Sequence, residues 1–288
     1  MKRISIAQGV EFLEMPRLGT WQMANGLFID GAERIMIDGR MGEEDTLAFV
    51  RENRVSRYFI SHFHIDHAAG AWRIAAESEC RLALNEIEAG YLHSRETMSR
   101  VTGYGSAGIH DLVEQYLMPA IGLRYLPDVG SYSLGEIEDI SRGRLAAIPA
   151  PGHSPGHYCL YAPESESVFA GDLGLDLFGP WYGFPHCDIG EFLASIERIR
   201  ALKAKRLFSS HGQVILESPD QALAHCREII ETRHARIMEA WDKGIRTTPE
   251  IAALGIFYDN PNGLGRRLAP VVSYWQECMV NCHLTNHK

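Results

Sequence analysis

The chain lacks any run of eighteen apolar residues, and no apolar stretch of signal-peptide length follows the basic Lys2-Arg3 start; both absences argue against a helical membrane span and a secretory leader. The cytoplasm is the expected compartment. Positive charge is also in short supply: 28 Lys and Arg against 37 Asp and Glu give a formal net charge of −9, and the sequence pI is about 5.8. With no lysine or arginine run, a nucleic-acid partner is disfavoured, because such partners are held by displacing counterions from phosphates. Arg227, Arg233 and Arg236 share one expected helix with Glu228, Glu231 and Glu239 and read as a solvated face. Cysteine is sparse at six (Cys80, Cys159, Cys187, Cys226, Cys278, Cys282) in 288 residues, too few for a disulfide scaffold, so thiols are expected. Repeats and low-complexity segments are missing too. What remains, at 45% hydrophobic residues, is a chain able to bury a large core.

Against that background the order of the metal-seeking side chains stands out. His62-Phe63-His64-Ile65-Asp66-His67 follows the β-branched and aromatic run Arg57 to Ser61, which reads as a buried strand. His153 lies in Pro151-Gly152-His153-Ser154-Pro155-Gly156-His157, Asp172 follows Val168-Phe169-Ala170-Gly171, and His211 follows Arg206-Leu207-Phe208-Ser209-Ser210. Each repeats one design, a short strand and then a ligand. Neutral imidazoles suit zinc, iron and similar ions, and a carboxylate between two cations offsets their repulsion. Two such ions would make hydroxide from a bridging water near neutral pH and polarise a carbonyl or phosphoryl oxygen, so hydrolysis needs no serine or cysteine nucleophile. Asp66 is the expected proton-steering carboxylate, and the expected cofactor is two divalent ions, zinc first, with iron or manganese as alternatives.

The HxHxDH cluster with its later GH, GD and SHG resembles the metallo-β-lactamase-fold hydrolase superfamily over about residues 20 to 215. The resemblance implies that His62, His64 and His153 hold a first metal, that Asp66, His67 and His211 hold a second, and that Asp172 bridges them. It also implies that Asp38, at a strand end, supports the metal loop from behind. A glyoxalase II-like layout of ligand loops and terminal helices is present, but the glycine-cysteine-arginine signature of that enzyme's segment after the bridging aspartate is absent. Flavodiiron proteins resemble HxExDH and carry a flavin domain, neither of which occurs here.

Along the chain, strands at Gly26 to Asp30 and Arg34 to Asp38 make a hairpin, and Glu43 to Asn53 makes a helix with Leu47, Phe49 and Val50 inward. Further strands are expected near 81–84, 144–149, 157–161 and 167–170, and a helix begins at Asp188. This order predicts a four-layer αββα sandwich over 1–215 with a C-terminal helical extension over 216–288. The extension comprises helices from Pro219 to about Lys243, from Pro249 capped by Thr248, and from Pro270 to Cys282. Residues 85–120 form a helical insertion, 85–93 and 110–118, joined by the glycine-rich 102–108; it reads equally as a substrate lid or as a rigid packing or homodimer element. Cys278, Cys282 and His283 read as helix packing rather than as another metal site.

The segment after Asp172 is rich in aromatics, and chain continuity keeps it near the metals, so Phe178, Trp181, Tyr182, Phe184 and His186 are the substrate-pocket candidates. The expected function is a dinuclear metal-dependent hydrolase, acting through a metal-bridging hydroxide on a small ester or thioester. The alternatives are a phosphodiesterase or endoribonuclease, and a regulatory binding protein with residual thioesterase activity.

Overall fold

The computed structural model describes residues 1–15, 24–40, 42–176, 178–211, 218–258 and 265–285. One sheet holds, in spatial order, β1 (Lys2–Ala7), β2 (Val10–Glu14), β3 (Gly26–Asp30), β4 (Arg34–Asp38), β5 (Arg57–Ile60), β6 (Arg81–Asn85) and β7 (Gly130–Tyr132). The other runs β11-β10-β9-β8, built from β8 (Ala146–Pro149), β9 (Tyr158–Ala162), β10 (Ser167–Phe169) and β11 (Arg206–Phe208). Strands β1 to β4 pair antiparallel, and β4 to β7 pair parallel. β10 lies parallel to β11 and antiparallel to β9, which is itself antiparallel to β8, so β8, β10 and β11 all point one way.

The central strands β3 to β6 are buried on both faces, and they sort their side chains with period two. Leu27, Ile29, Ile35, Ile37 and Phe59 join the core between the sheets, whereas Phe28, Met36, Tyr58 and Ile60 join the outer one. Phe12 fills the space between sheets, its ring centroid 6.0 Å from that of Phe169 and 5.0 Å from that of Phe208. On the outside, Phe49 of the helix Glu43–Glu52 meets Phe28 edge-on at 5.7 Å. The helix Ile189–Arg200 covers the second sheet, donating from Ser195 Oγ to Pro151 O (2.8 Å) and from Arg198 to Pro149 O (2.6 Å). Asp188 starts it by accepting from Glu191 N at 2.9 Å, satisfying one of the orphan donors of the first turn. The result is the αββα sandwich with terminal helices.

Several elements depart from the expectations. β1, β2 and β7 are strands that the hydrophobic pattern alone leaves unassigned. Residues 86–93 are turns rather than helix: the Asn85 side chain accepts from Ile87 N (3.0 Å) and donates to Gly156 O (2.8 Å), which diverts the chain before a helical turn can form. The helix starts later, at Arg95–Thr102, where Ser94 and Thr97 make a reciprocal capping box. The short helix Thr248–Ala252 has Thr247, not Thr248, at its cap position. The loop 259–263 between the last two helices lies outside the described residues.

The insertion packs against the terminal helices. Tyr104 is fully buried and accepts from Trp275 Nε1 at 3.1 Å, while Tyr274 donates to Thr102 O at 2.8 Å. Gly103 has φ 74°, and a Cβ there would stand 2.0 Å from the Tyr274 hydroxyl, so the glycine serves close approach. The helices Pro219–Asp242 and Ala269–Thr285 contribute Leu223, Ile230, Val271, Trp275 and Met279 to the same outer core as the strands. All six cysteines are free, and among the described residues no helix is long and apolar enough to cross a membrane. Phe12→Ala is expected to cost about 3–5 kcal/mol, the usual figure for a large aromatic removed from a core, measured by denaturant unfolding; a loss under about 1 kcal/mol would show that the sheets close without it.

Candidate metal centre

Because β5, β8, β10 and β11 each end at the same edge of the sandwich, the loops that follow them converge. The four-residue cluster comes from the turn after β5, with Ile65–Ala68 forming one helical turn that carries Asp66 and His67. His62, His64 and His153 form one group and Asp66, His67, Asp172 and His211 another, the ligand atoms within each lying within 4.8 Å of one another. Asp172 Oδ2 stands between them, 3.5 Å from His153 Nε2, 3.9 Å from His62 Nε2, and 3.4 Å from the Nε2 atoms of both His67 and His211. His211 Nε2 lies 3.0 Å from Asp66 Oδ2. All seven residues expected as ligands are thus brought together.

The donor chemistry fits divalent cations. His153 Nδ1 is 2.8 Å from the carbonyl of Trp181, so that nitrogen carries the proton and Nε2 presents a lone pair. Yet His153 Nε2 lies only 3.1 Å from His62 Nε2. Two lone pairs in such contact repel unless a cation or a proton lies between them. Among the described residues His64 Nε2 and Asp172 Oδ1 are buried without a hydrogen-bond partner, which is costly unless something else satisfies them, while the Nε2 atoms of His67 and His211 have carboxylate oxygens as neighbours.

A second ring of contacts holds the ligands. Asp38 accepts from Ser61 N and from His67 Nδ1, both at 2.9 Å, and is wholly buried. Its φ of 52° is left-handed, a conformation that a non-glycine residue adopts at a cost and that Asp tolerates better than most. His157 donates from Nδ1 to Ala150 O (2.8 Å) and accepts from Asp172 N at Nε2 (2.9 Å), fixing the backbone that carries Asp172. Gly171 precedes it at φ 55°, where a Cβ would stand 2.5 Å from that same Nε2. Glu88, expected within an insertion helix, is buried in a turn; it accepts from Phe63 N (2.8 Å) and Gly156 N (2.7 Å) and so ties two ligand loops together. Burial raises its pKa against the pull of those two amides. No sequence periodicity marks Glu88 or His157; only the folded loops make them partners.

The electrostatics divide along the same line. Burial pushes His62 and His64 well below the ordinary histidine range, and it brings His153 down to about 4 against the pull of Asp172. These three are neutral, as ligation requires. At the other group burial again opposes charge, but Asp172, Asp38 and Asp66 raise His67 well above its usual value, and Asp172 with Asp66 lifts His211 to about 10. Asp172 is held well below the carboxylate range despite its burial, by His67 and His211. Without metal, protons on these two rings play the counter-charge.

The aromatic segment is split by the fold. Trp181 is half-buried with its ring 5.2 Å from that of His64, and Phe184 lies 5.1 Å from the same imidazole. His186 is half-buried, with Nδ1 3.1 Å from Val101 O. Phe178 stacks on Tyr258 at 4.7 Å. Tyr182 departs from the pocket expectation: it is 0% exposed and its hydroxyl meets His283 Nε2 at 3.0 Å, because its ring points to the terminal helix rather than to the metals. Cys282 donates to the carbonyls of Tyr182 and Cys187.

Comparison with known proteins adds an independent line. Residues 19–211 match the family model described as the metallo-beta-lactamase superfamily. The matched segment ends on His211, the last of the seven expected ligands. An atrochrysone carboxyl ACP thioesterase of Aspergillus fumigatus is 25% identical over 198 residues, covering 64% of this chain and 49% of that protein. The chain therefore spans about half the length of that curated relative. A metallo-beta-lactamase family protein from Thermus thermophilus superposes with a TM-score of 0.73 at 18% identity, over 98% of this chain and 95% of the other. A further structure, solved in a di-iron-bound form, matches 71% of this chain and 94% of its own at TM-score 0.51 and 21% identity.

Two outcomes are expected. Asp38→Asn keeps a side chain that accepts the left-handed backbone but removes the charge behind His67, so metal affinity should fall about 10–100-fold in chelator competition; wild-type affinity would leave Asp38 with a purely backbone role. Metal loading at pH 7 should release protons into weak buffer, since His67 and His211 start with raised pKa values. In the metal-free protein the stability contributed by His211 is complete below about 6.5 and is lost as pH rises through about 10. Metal uptake without proton release would show that both rings are already neutral.

Proposed function

This chain belongs to the metallo-beta-lactamase superfamily, and we propose that it is a dinuclear metal-dependent hydrolase of a small ester or thioester. The observation that carries the reading is the convergence of two ligand groups sharing Asp172, with an aromatic wall of Trp181 and Phe184 against the first. When bound, two divalent ions would lower the pKa of a water towards neutrality and polarise an acyl oxygen. His62, His64 and His153 would hold the first ion as neutral imidazoles and Asp66, His67 and His211 the second, with Asp172 as the carboxylate between the two groups. Asp38, behind His67, orients the ligand loop.

Asp66 is the carboxylate suited to moving protons. Its side chain is 28% exposed, against 9% for Asp172, so it alone of the pair meets both the site and solvent. A proton taken up at an Asp66 oxygen can leave to bulk water, or pass to a departing thiolate or alkoxide. Trp181 and His186, half-buried beside His64 and backed by the buried Phe184, suit an apolar acyl portion better than a polyanion, in keeping with the net charge of −9. A relative named as a thioesterase supports thioesters first in the panel. Zinc is the expected metal, and a structural neighbour obtained with two irons is a reason to assay iron beside it.

The experiment is metal analysis followed by turnover on acyl-thioester, lactone and phosphodiester panels. Two ions per chain and selective thioester or ester cleavage are expected; one ion under metal-replete conditions defeats the dinuclear mechanism, and a selective phosphodiester response defeats the substrate class. Asp172→Asn should lose the metal pair and most turnover, because an amide offsets no cationic charge; unchanged metal content and rate would remove Asp172 from the site. Trp181→Ala should raise KM through lost apolar contact worth up to about 3 kcal/mol while metal content holds, and a wild-type profile across the panel would make the ring scaffold only.

A further inference from the structure

Arg233, expected on a solvated helix face, is buried at 6% exposure. Its guanidinium donates from Nη1 to Pro180 O (2.5 Å) and from Nη2 to Phe178 O (2.6 Å). The charge lies 4.7 Å from the Phe178 ring centroid, 5.4 Å from Phe257 and 5.8 Å from Tyr182. Among the described residues no carboxylate forms an ion pair with it. Carbonyl dipoles and ring faces take the place of a counter-ion, which makes a desolvated cation tolerable and also makes the loop geometry part of its solvation.

The same loop is held at a third point from the terminal segment. Tyr258 accepts from Trp181 Nε1 at 2.8 Å and stacks on Phe178, and Trp275 meets the Trp181 ring edge-on at 5.9 Å. Trp181 faces the metal site in two ways: its ring flanks His64, and its backbone carbonyl accepts a hydrogen bond from His153 Nδ1. Pinning the carbonyls of residues 178 and 180 restrains the next peptide, whose oxygen decides which His153 nitrogen is free. A planar two-donor fork does this where a point charge does not.

We propose that Arg233 and Tyr258 are positioning residues for the metal site. Arg233 holds the loop backbone, so that the Trp181 carbonyl keeps His153 in its metal-ready tautomer, and Tyr258 holds the indole against the first histidine group. The proposal rests on the metallohydrolase reading and makes the terminal helices part of the active site. It separates two effects that the loop combines, since the backbone arm acts on metal affinity and the ring arm on substrate.

The test compares Arg233→Met, Arg233→Lys and Tyr258→Phe by zinc affinity in chelator competition, by KM and kcat on an acyl thioester, and by acrylamide quenching of Trp181, isolated as wild type minus Trp181→Phe. Arg233→Met is expected to lose about tenfold or more in zinc affinity, the range for a group that orients a ligand. Arg233→Lys should recover only part of it, because one ammonium cannot reproduce the fork. Tyr258→Phe should keep zinc affinity, expose Trp181 to quencher and raise KM more than kcat. Wild-type zinc affinity in a folded Arg233→Met overturns the backbone arm, as does full recovery in Arg233→Lys. If Arg233→Met does not fold, Arg233→Lys decides that arm, with undiminished affinity overturning it. Unchanged quenching in Tyr258→Phe overturns the ring arm. Zinc affinity and quenching are read without turnover, so a protein inactive on every thioester would defeat the functional reading while leaving both arms testable.

Discussion

Everything at the working edge of this molecule follows from the need to hold lone pairs against one another. His62 and His153 present nitrogens 3.1 Å apart, and the imidazoles of His62, His67, His153 and His211 crowd around a single Asp172 oxygen. The His62–His153 contact would spread apart unless a proton or a cation lay between the two nitrogens. The arrangement persists because His67, Asp172 and His153 are anchored from behind, through Asp38, His157 and the Trp181 carbonyl, and Glu88 ties two of the loops together, on loops that the two sheets aim at one point. Cations are the natural complement, and in their absence protons on His67 and His211 supply the charge.

The scaffold can bear that strain because it is stiff. Parallel strands buried on both faces, with period-two sorting into two cores, leave the strand ends little freedom. Tyr132 stacks on Phe59 at 4.0 Å and its hydroxyl reaches both Ile60 O (3.1 Å) and Tyr158 OH (2.8 Å), so a buried polar link crosses between the sheets two residues before the first histidine. The left-handed backbone at Asp38 costs free energy, which the packing around it offsets.

The packing extends to the insertion and the terminal helices. Tyr104, Tyr274 and Trp275 lock the insertion to the last helix, and Trp275 and Tyr258 carry that contact on to Trp181. The glycines around residue 103 read equally as a hinge or as a packing element in sequence, and the Tyr274 hydroxyl against Gly103 adds a packing requirement at that position. One residue type serves two physical purposes that local sequence does not separate.

The seven expected ligands, the β5 strand before them and the hairpin of β3 and β4 were legible in the chain, because residue chemistry and period-two patterning are local properties. The strands β1, β2 and β7 were not, since their identity depends on partners across a sheet. Nor were the turns at 86–93, where Asn85 and Glu88 bond to a loop some seventy residues away. Arg233 looked like a surface charge, and Tyr182 like a pocket residue, for the same reason: composition says which groups a segment carries, not which way they face. The sequence by itself determined which donors are available and in what order, since ligand identity is a matter of covalent chemistry. Only the tertiary structure decided which carbonyl, carboxylate or ring stands behind each donor, because those contacts are made by groups far apart in the chain and exist only once the core has closed.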